Sequence, residues 1–179
     1  MGERDKGLVP LMGRPMIEHI IERVTPQVGT VVINANRHLD EYRRYGCAVI
    51  TDDNDEFRGP LAGMAAALRH CDTPWVMTVP CDSPLLPMDL AVRLHRALNT
   101  SNADLAVADD GERLHPVFCL LARHLGAGLE EFLAQGGRKI DLWFERIPVV
   151  HADFSDQSEC FGNINTMDEL TRLEQSLTK

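Results

Sequence analysis

Apolar residues recur along the chain with two periods. Met16, Ile17, Ile20, Ile21 and Val24 follow helical spacing, with Glu18, Glu22 and Arg23 turned the other way. The same reading predicts helices at roughly 39–45, through the Ala-rich run after Pro60, and at 87–98, where Leu90, Leu94 and Leu98 share a face. Further helices are predicted at 125–133 and 138–144. Thr166-Met167-Asp168-Glu169 has the form of a capping box and opens the last helix. Between these lie short β-branched or apolar runs read as strands, at 30–33, 47–50, 75–79, 105–108, 117–121 and 147–150. Leu8 to Leu11 reads as a further short extended piece. Strands alternating with helices predict an α/β fold, a three-layer doubly wound domain with a mainly parallel sheet, over residues 1–179. Asp109-Asp110-Gly111 is turn chemistry, so the strand after it returns antiparallel. Pro148 lacks a donor and assigns its strand to an edge.

The strand that begins at Trp75 ends abruptly in Pro80-Cys81-Asp82-Ser83-Pro84. Asp82 therefore falls just past the carboxyl end of a strand, where open α/β sheets bind ligands. A carboxylate there is a hard oxygen ligand suited to Mg²⁺ on a phosphate substrate, or else a turn-making Asp. Two other strands end in Asn34-Ala35-Asn36-Arg37 and Thr51-Asp52-Asp53. Polar ends recurring at one topological place argue for a site more than any single residue does. Lys6, between Asp5 and Gly7, is a phosphate-binding lysine or a solvated one. Gly59 and Gly63 open a helix start to an anion or permit tight packing. Asn163 and Asn165, two apart in extended backbone, point to one side. Arg138 and Lys139 after two glycines reach an anion or begin a solvated helix, and His115 touches substrate or fixes a turn.

Composition narrows the classes. A formal charge of −9 argues against nucleic acid held by a general basic field. No apolar run approaches about 18 residues, so no membrane span is expected, and no signal peptide is visible. Five scattered cysteines with no C-x-x-C pair offer neither zinc spacing nor a complete disulfide framework, which fits buried thiols in a reducing, cytoplasmic setting. Cys81 beside Asp82 is a candidate nucleophile without a nearby His or Asn to support it.

Taken together, Asp5-Lys6-Gly7-Leu8, Val32 to His38, Gly59-Pro60-Leu61-Ala62-Gly63, Pro80-Cys81-Asp82-Ser83-Pro84, His115-Pro116, Asp153-Phe154-Ser155-Asp156 and Asn163-Ile164-Asn165-Thr166 resemble the molybdenum cofactor guanylyltransferase family. These pieces stand in family order and cover nearly the whole chain. The resemblance implies the nucleotide-diphosphosugar-transferase variety of the fold and transfer of GMP from GTP to molybdopterin, with Mg²⁺ as cofactor. It implies Lys6 on GTP phosphate, Asn34 and Asp52 on the nucleoside side, and Asp82 on Mg²⁺ beside the nucleotide. Gly59, Gly63, Asn163 and Asn165 then shape the acceptor and catalytic cleft, and Arg138 with Lys139 faces the molybdopterin phosphate. Molybdoenzymes or their chaperones are the implied downstream partners. The rival readings are a cytidylyl- or sugar-nucleotide transferase and a non-catalytic nucleotide or molybdopterin carrier. Family members open with a strand, a Leu-Ala-Gly-Gly loop and an Arg-Met-Gly stretch, and Met1-Gly2 is in register with the end of that stretch. The expectation is a domain lacking that central strand and loop, with a gap in its sheet, unpaired backbone beside it, and weakened base recognition and triphosphate neutralisation.

Overall fold

Alternation along one strand sets the layers of the molecule. The computed structural model describes residues 5–52 and 59–178. In β6 (Leu105–Asp109), Leu105 and Val107 join one apolar cluster and Ala106 and Ala108 the other, and all four are fully buried. On the first face lie α3 (Pro60–His70) and α5 (Gly126–Ala134), through Leu61, Met64, Leu68, Leu129 and Phe132. On the second face lie α1 (Met16–Val24) and α4 (Leu90–Asn99), through Ile20, Val24, Leu90, Leu94 and Leu98. The predicted three layers are present.

The central sheet has the order β5-β7-β6-β8, with β5 at Trp75–Thr78, β7 at Leu114–Ala122 and β8 at Val149–Asp153. β8 pairs parallel with β6 and closes one edge, as Pro148 implied. β7 is the antiparallel return, inserted between β5 and β6. It starts at Leu114, earlier than the predicted Val117, and runs through Pro116. An irregularity in the β6–β7 register, where Val107 faces Cys119 but Ala108 faces His115, absorbs the missing proline donor.

A second, two-stranded parallel sheet joins β3 (Val32–Asn34) to β4 (Ala48–Ile50), which are linked by the short helix α2 (Leu39–Arg43). Among the described residues no strand pairs with the other edge of β3 or β5. Between them lies a cavity of about 500 Å³. It is lined by consecutive residues from Val28 to Arg37 and from Trp75 to Cys81. A strand that shows a cavity only its face contributes alternate residues, so consecutive lining means that backbone edges are exposed to it. Ile17, Ile20, Ile21 and Val24 cover one side, and Gly63, Met64 and Ala67 the other. The cavity is thus a strand-shaped slot within the sheet layer.

The N-terminal region departs from the expected extended piece. Lys6–Leu8 forms a single 3₁₀ turn, and Pro10–Leu11 (β1) pairs with Arg14–Pro15 (β2) in a small hairpin. Its two-residue loop needs positive φ at both positions, supplied by Met12 (51°) and Gly13 (79°). Pro15 precedes α1 as its N-cap residue. The remaining helices are α6 (Ile140–Phe144) and α7 (Met167–Leu177), the latter opened by the complete Thr166–Glu169 capping box. Leu170 of α7 and Ile164 pack with Val9, Leu11 and Met16, which fastens the C-terminal segment to the N-terminal hairpin.

Candidate active site

Two polar clusters form where these elements converge. The first is built on Asp82, in the turn that follows β5 once Pro80 has ended the ladder. Asp82 is only 7% exposed. Lys6 Nζ donates to Asp82 Oδ2 at 2.8 Å and to Asn165 Oδ1 at 2.5 Å. Ser83 Oγ donates to Asn163 Oδ1 at 2.8 Å, and the backbone N–H of Ile164 donates to the Asp82 carbonyl at 2.8 Å. Residues 6, 82–83 and 163–165, far apart in sequence, thus share one knot of hydrogen bonds. The extended Asn163-Ile164-Asn165 segment aims both amides at this knot while Ile164 points into the apolar cluster below.

The second cluster lies past the carboxyl ends of β3 and β4. Asn34 Nδ2 donates to Asp52 Oδ1 (2.9 Å), Asn36 Nδ2 donates to Asp52 Oδ2 (2.8 Å), and the Asp52 N–H donates to Asn36 Oδ1 (2.9 Å). Gly63 sits against it, and a Cβ built there would stand 2.6 Å from Asn34 Nδ2. Its close approach to Asn34 explains the glycine better than general packing does. Gly59 caps α3 at a φ of 107°, a conformation that only glycine adopts readily. Asn34 and Asn36 line the slot, as do Asp5, Pro80 and Cys81, which flank Lys6 and Asp82 in sequence.

Periodicity and motif reading missed several supports. Asp5 Oδ1 accepts from the Gly7 N–H and from the Tyr42 hydroxyl (2.6 Å), so Tyr42 in α2 holds the turn that carries Lys6. Burial, followed by the bond to Asp5, pushes the Tyr42 phenol well above its ordinary value, so it serves as a neutral donor. Ser83 and Asn36 also escaped notice as site residues, although both lie inside the quoted motifs. The signal available for Asn36 was its place two residues beyond Asn34 in the same strand end.

Other candidates are placed outside this knot. His115 is buried with its Nε2 2.6 Å from Asp110 Oδ2, and its ring stacks on Phe161 at 4.6 Å. Hydrogen bonds from His115 and from the Arg113 and Glu112 N–H groups lower the Asp110 carboxyl to about 2. This is the turn-fixing role, with a consequence for the site, because Phe161 leads directly into Gly162 and Asn163. Arg138 and Lys139 lie in the turn between α5 and α6. There Arg138 Nη1 donates to the carbonyls of Leu133 and Gly137 and closes the end of α5. Cys81 has a solvent-facing surface, yet the protein packed around its thiol and the neighbouring Asp82 and Asp5 carboxylates push it up to about 11. It is protonated at neutral pH and a poor nucleophile. Among the described residues, no group of three or more His, Cys, Asp or Glu side chains is placed to hold a metal ion, and no helix is long and apolar enough to cross a membrane.

The chain is similar to known proteins over nearly its whole length. The chain is 46% identical over 177 residues to a molybdenum cofactor guanylyltransferase of Shewanella halifaxensis, covering 99% of this chain and 88% of that protein. It is 49% identical over 169 residues to the protein of the same name from Shewanella putrefaciens, covering 94% and 87%. Among solved structures, the molybdopterin-guanine dinucleotide biosynthesis protein A of Archaeoglobus fulgidus superposes with a TM-score of 0.82 at 26% identity, over 98% of this chain and 92% of that one. A CMP:2-keto-3-deoxy-manno-octonic acid synthetase complexed with CTP shares the fold at a TM-score of 0.73 and 12% identity, over 97% and 91%. The model of the MobA-like NTP transferase domain matches residues 1–147, and the chain belongs to that family.

Proposed function

We propose that the protein transfers the GMP moiety of GTP to molybdopterin and releases pyrophosphate, forming the guanine dinucleotide cofactor. The observation that carries this reading is the meeting of Lys6, Asp82, Asn163 and Asn165 in one hydrogen-bonded knot, in a chain so similar to guanylyltransferases. The acceptor phosphate is already an anion, so the reaction needs positioning and charge neutralisation more than a general base.

Each cluster takes a part of that work. Asn34, Asn36 and Asp52 offer donors and acceptors at the nucleoside end. Lys6 presents an ammonium to the triphosphate, and Tyr42 with Asp5 fixes the turn from which it reaches. Asn163 and Asn165 orient the reacting groups, held in place by Ser83 and by the Ile164–Asp82 backbone bond.

The residues present fit Mg²⁺. Asp82 already holds a cationic group, the Lys6 ammonium, at hydrogen-bond distance, and a lone carboxylate suits an ion that keeps its waters and takes phosphate oxygens as further ligands. When bound, Mg²⁺ would supply neutralisation of charge on the phosphates, with Asp82 as its protein ligand. The test is transfer of label from α-labelled GTP to molybdopterin. Asp82→Ala is expected to abolish Mg²⁺-dependent transfer, and CTP is expected to be a poor substitute. Tight GTP binding with no transfer by the wild-type chain would favour the carrier reading and overturn this one.

A further inference from the structure

Lys6 does more in this geometry than await a phosphate. Its ammonium sits 2.8 Å from Asp82 Oδ2 and 2.5 Å from Asn165 Oδ1, the place a divalent ion would take on the same carboxylate. Asp82 is 7% exposed, so a second cation has little room to approach without moving the first. With Lys6 in place the pair has no net charge, and a bare dication gains little Coulomb attraction there. A triphosphate changes both terms, because it offers Lys6 another anion and brings negative charge to the vacated carboxylate.

We infer that Lys6 is an internal guard on Asp82: it holds the metal position closed until a nucleoside triphosphate draws the ammonium away, so metal and nucleotide enter together. The inference rests on the proposed role of Asp82 as metal ligand. Lys6 then has two partners in succession, the carboxylate in the empty site and phosphate in the loaded one. Asn165, which holds the ammonium from its other side, is the positioning residue of the closed arrangement.

The experiment is direct Mn²⁺ binding, followed by electron paramagnetic resonance on the full chain without substrate turnover. Wild-type protein without nucleotide is expected to bind Mn²⁺ at least tenfold more weakly than Lys6→Met, and Lys6→Gln should match the Met variant. Adding Asp82→Asn to Lys6→Met should remove that gain. Equal Mn²⁺ affinity of the wild-type and Lys6→Met proteins, or a gain that survives Asp82→Asn, overturns the guard. Failure of the underlying reading looks different: the single Asp82→Asn variant would then bind Mn²⁺ with GTP as tightly as wild type does. Circular dichroism on each variant confirms that the compared proteins are folded.

Discussion

Gly63→Ala separates the helix from the site it serves. In the interior of α3, alanine is worth about 1 kcal/mol over glycine. The new Cβ would stand 2.6 Å from Asn34 Nδ2, too close for the amide to stay where it is. Asn34 has to swing away and release its 2.9 Å bond to Asp52. That bond has a charged acceptor but is exposed, so water replaces much of it and the loss is about 1 kcal/mol. The two terms nearly cancel. With about 2–4 °C of Tm per kcal/mol for a chain of this size, thermal unfolding should move by no more than a few degrees. Nucleotide binding has no such compensation. If Asn34 makes the proposed nucleoside contact, losing one hydrogen bond of about 1 kcal/mol raises the KM for GTP roughly fivefold. Scanning fluorimetry and a pyrophosphate-release assay measure the two effects. Asn34→Ala supplies the control, because in that background Gly63→Ala has nothing left to displace and should leave KM unchanged. A full additional KM increase in the Asn34→Ala background, or an unchanged KM in Gly63→Ala alone, would refute the reasoning.

Three further outcomes are expected. Phe161→Ala removes a fully buried ring that meets His115, Phe118 and Phe154 at 4.6, 5.0 and 5.3 Å, and should cost about 3–5 kcal/mol; a Tm drop of under about 3 °C in a melting experiment would show that this cluster does not anchor the Asn163 segment. Asp110 has a folded-state value of about 2 against an ordinary 3.8, so its ionised form stabilises the fold above the ordinary value and that contribution fades as pH falls through about 2. Wild type should therefore exceed Asp110→Asn by on the order of 2 kcal/mol in urea midpoints at pH 6, and the advantage should shrink markedly by pH 2.5; a constant difference contradicts this. Tyr42→Phe deletes the hydroxyl that grips Asp5, so a KM for GTP raised a few-fold with an intact circular dichroism spectrum is expected, and an unchanged KM removes Tyr42 from the Lys6 support.

Much of the fold was legible because burial imposes period on sequence. The stripe of α1, the Leu90–Leu94–Leu98 face of α4 and the capping box of α7 all stand as read. The Met12-Gly13 turn was not, because methionine rarely carries positive φ and nothing local announces it. The start of β7 was obscured by Pro116, whose cost is absorbed by a register shift visible only with the partner strand in place. At the candidate site, strand-end chemistry singled out Asp82, Asn34 and Asp52, which the fold places in two hydrogen-bonded clusters. The Tyr42–Asp5 and Ser83–Asn163 bonds span 37 and 80 residues and leave no local trace. Only the folded chain can reveal such pairs.

The slot between β3 and β5 leaves the molecule unevenly knit. Within the described residues no ladder of backbone bonds crosses from the small sheet to the large one, so the two are joined through side chains of α1 and α3. Amides of β3 and β4 should therefore exchange with deuterium sooner than those of β6 and β7, through openings that leave the large sheet standing. Asn34 and Asp52, which we propose face the nucleoside, ride on that looser part, and Asp82 is rooted in the firmer one. A ligand spanning both would act as a clasp, drawing the two parts into a single cooperative body.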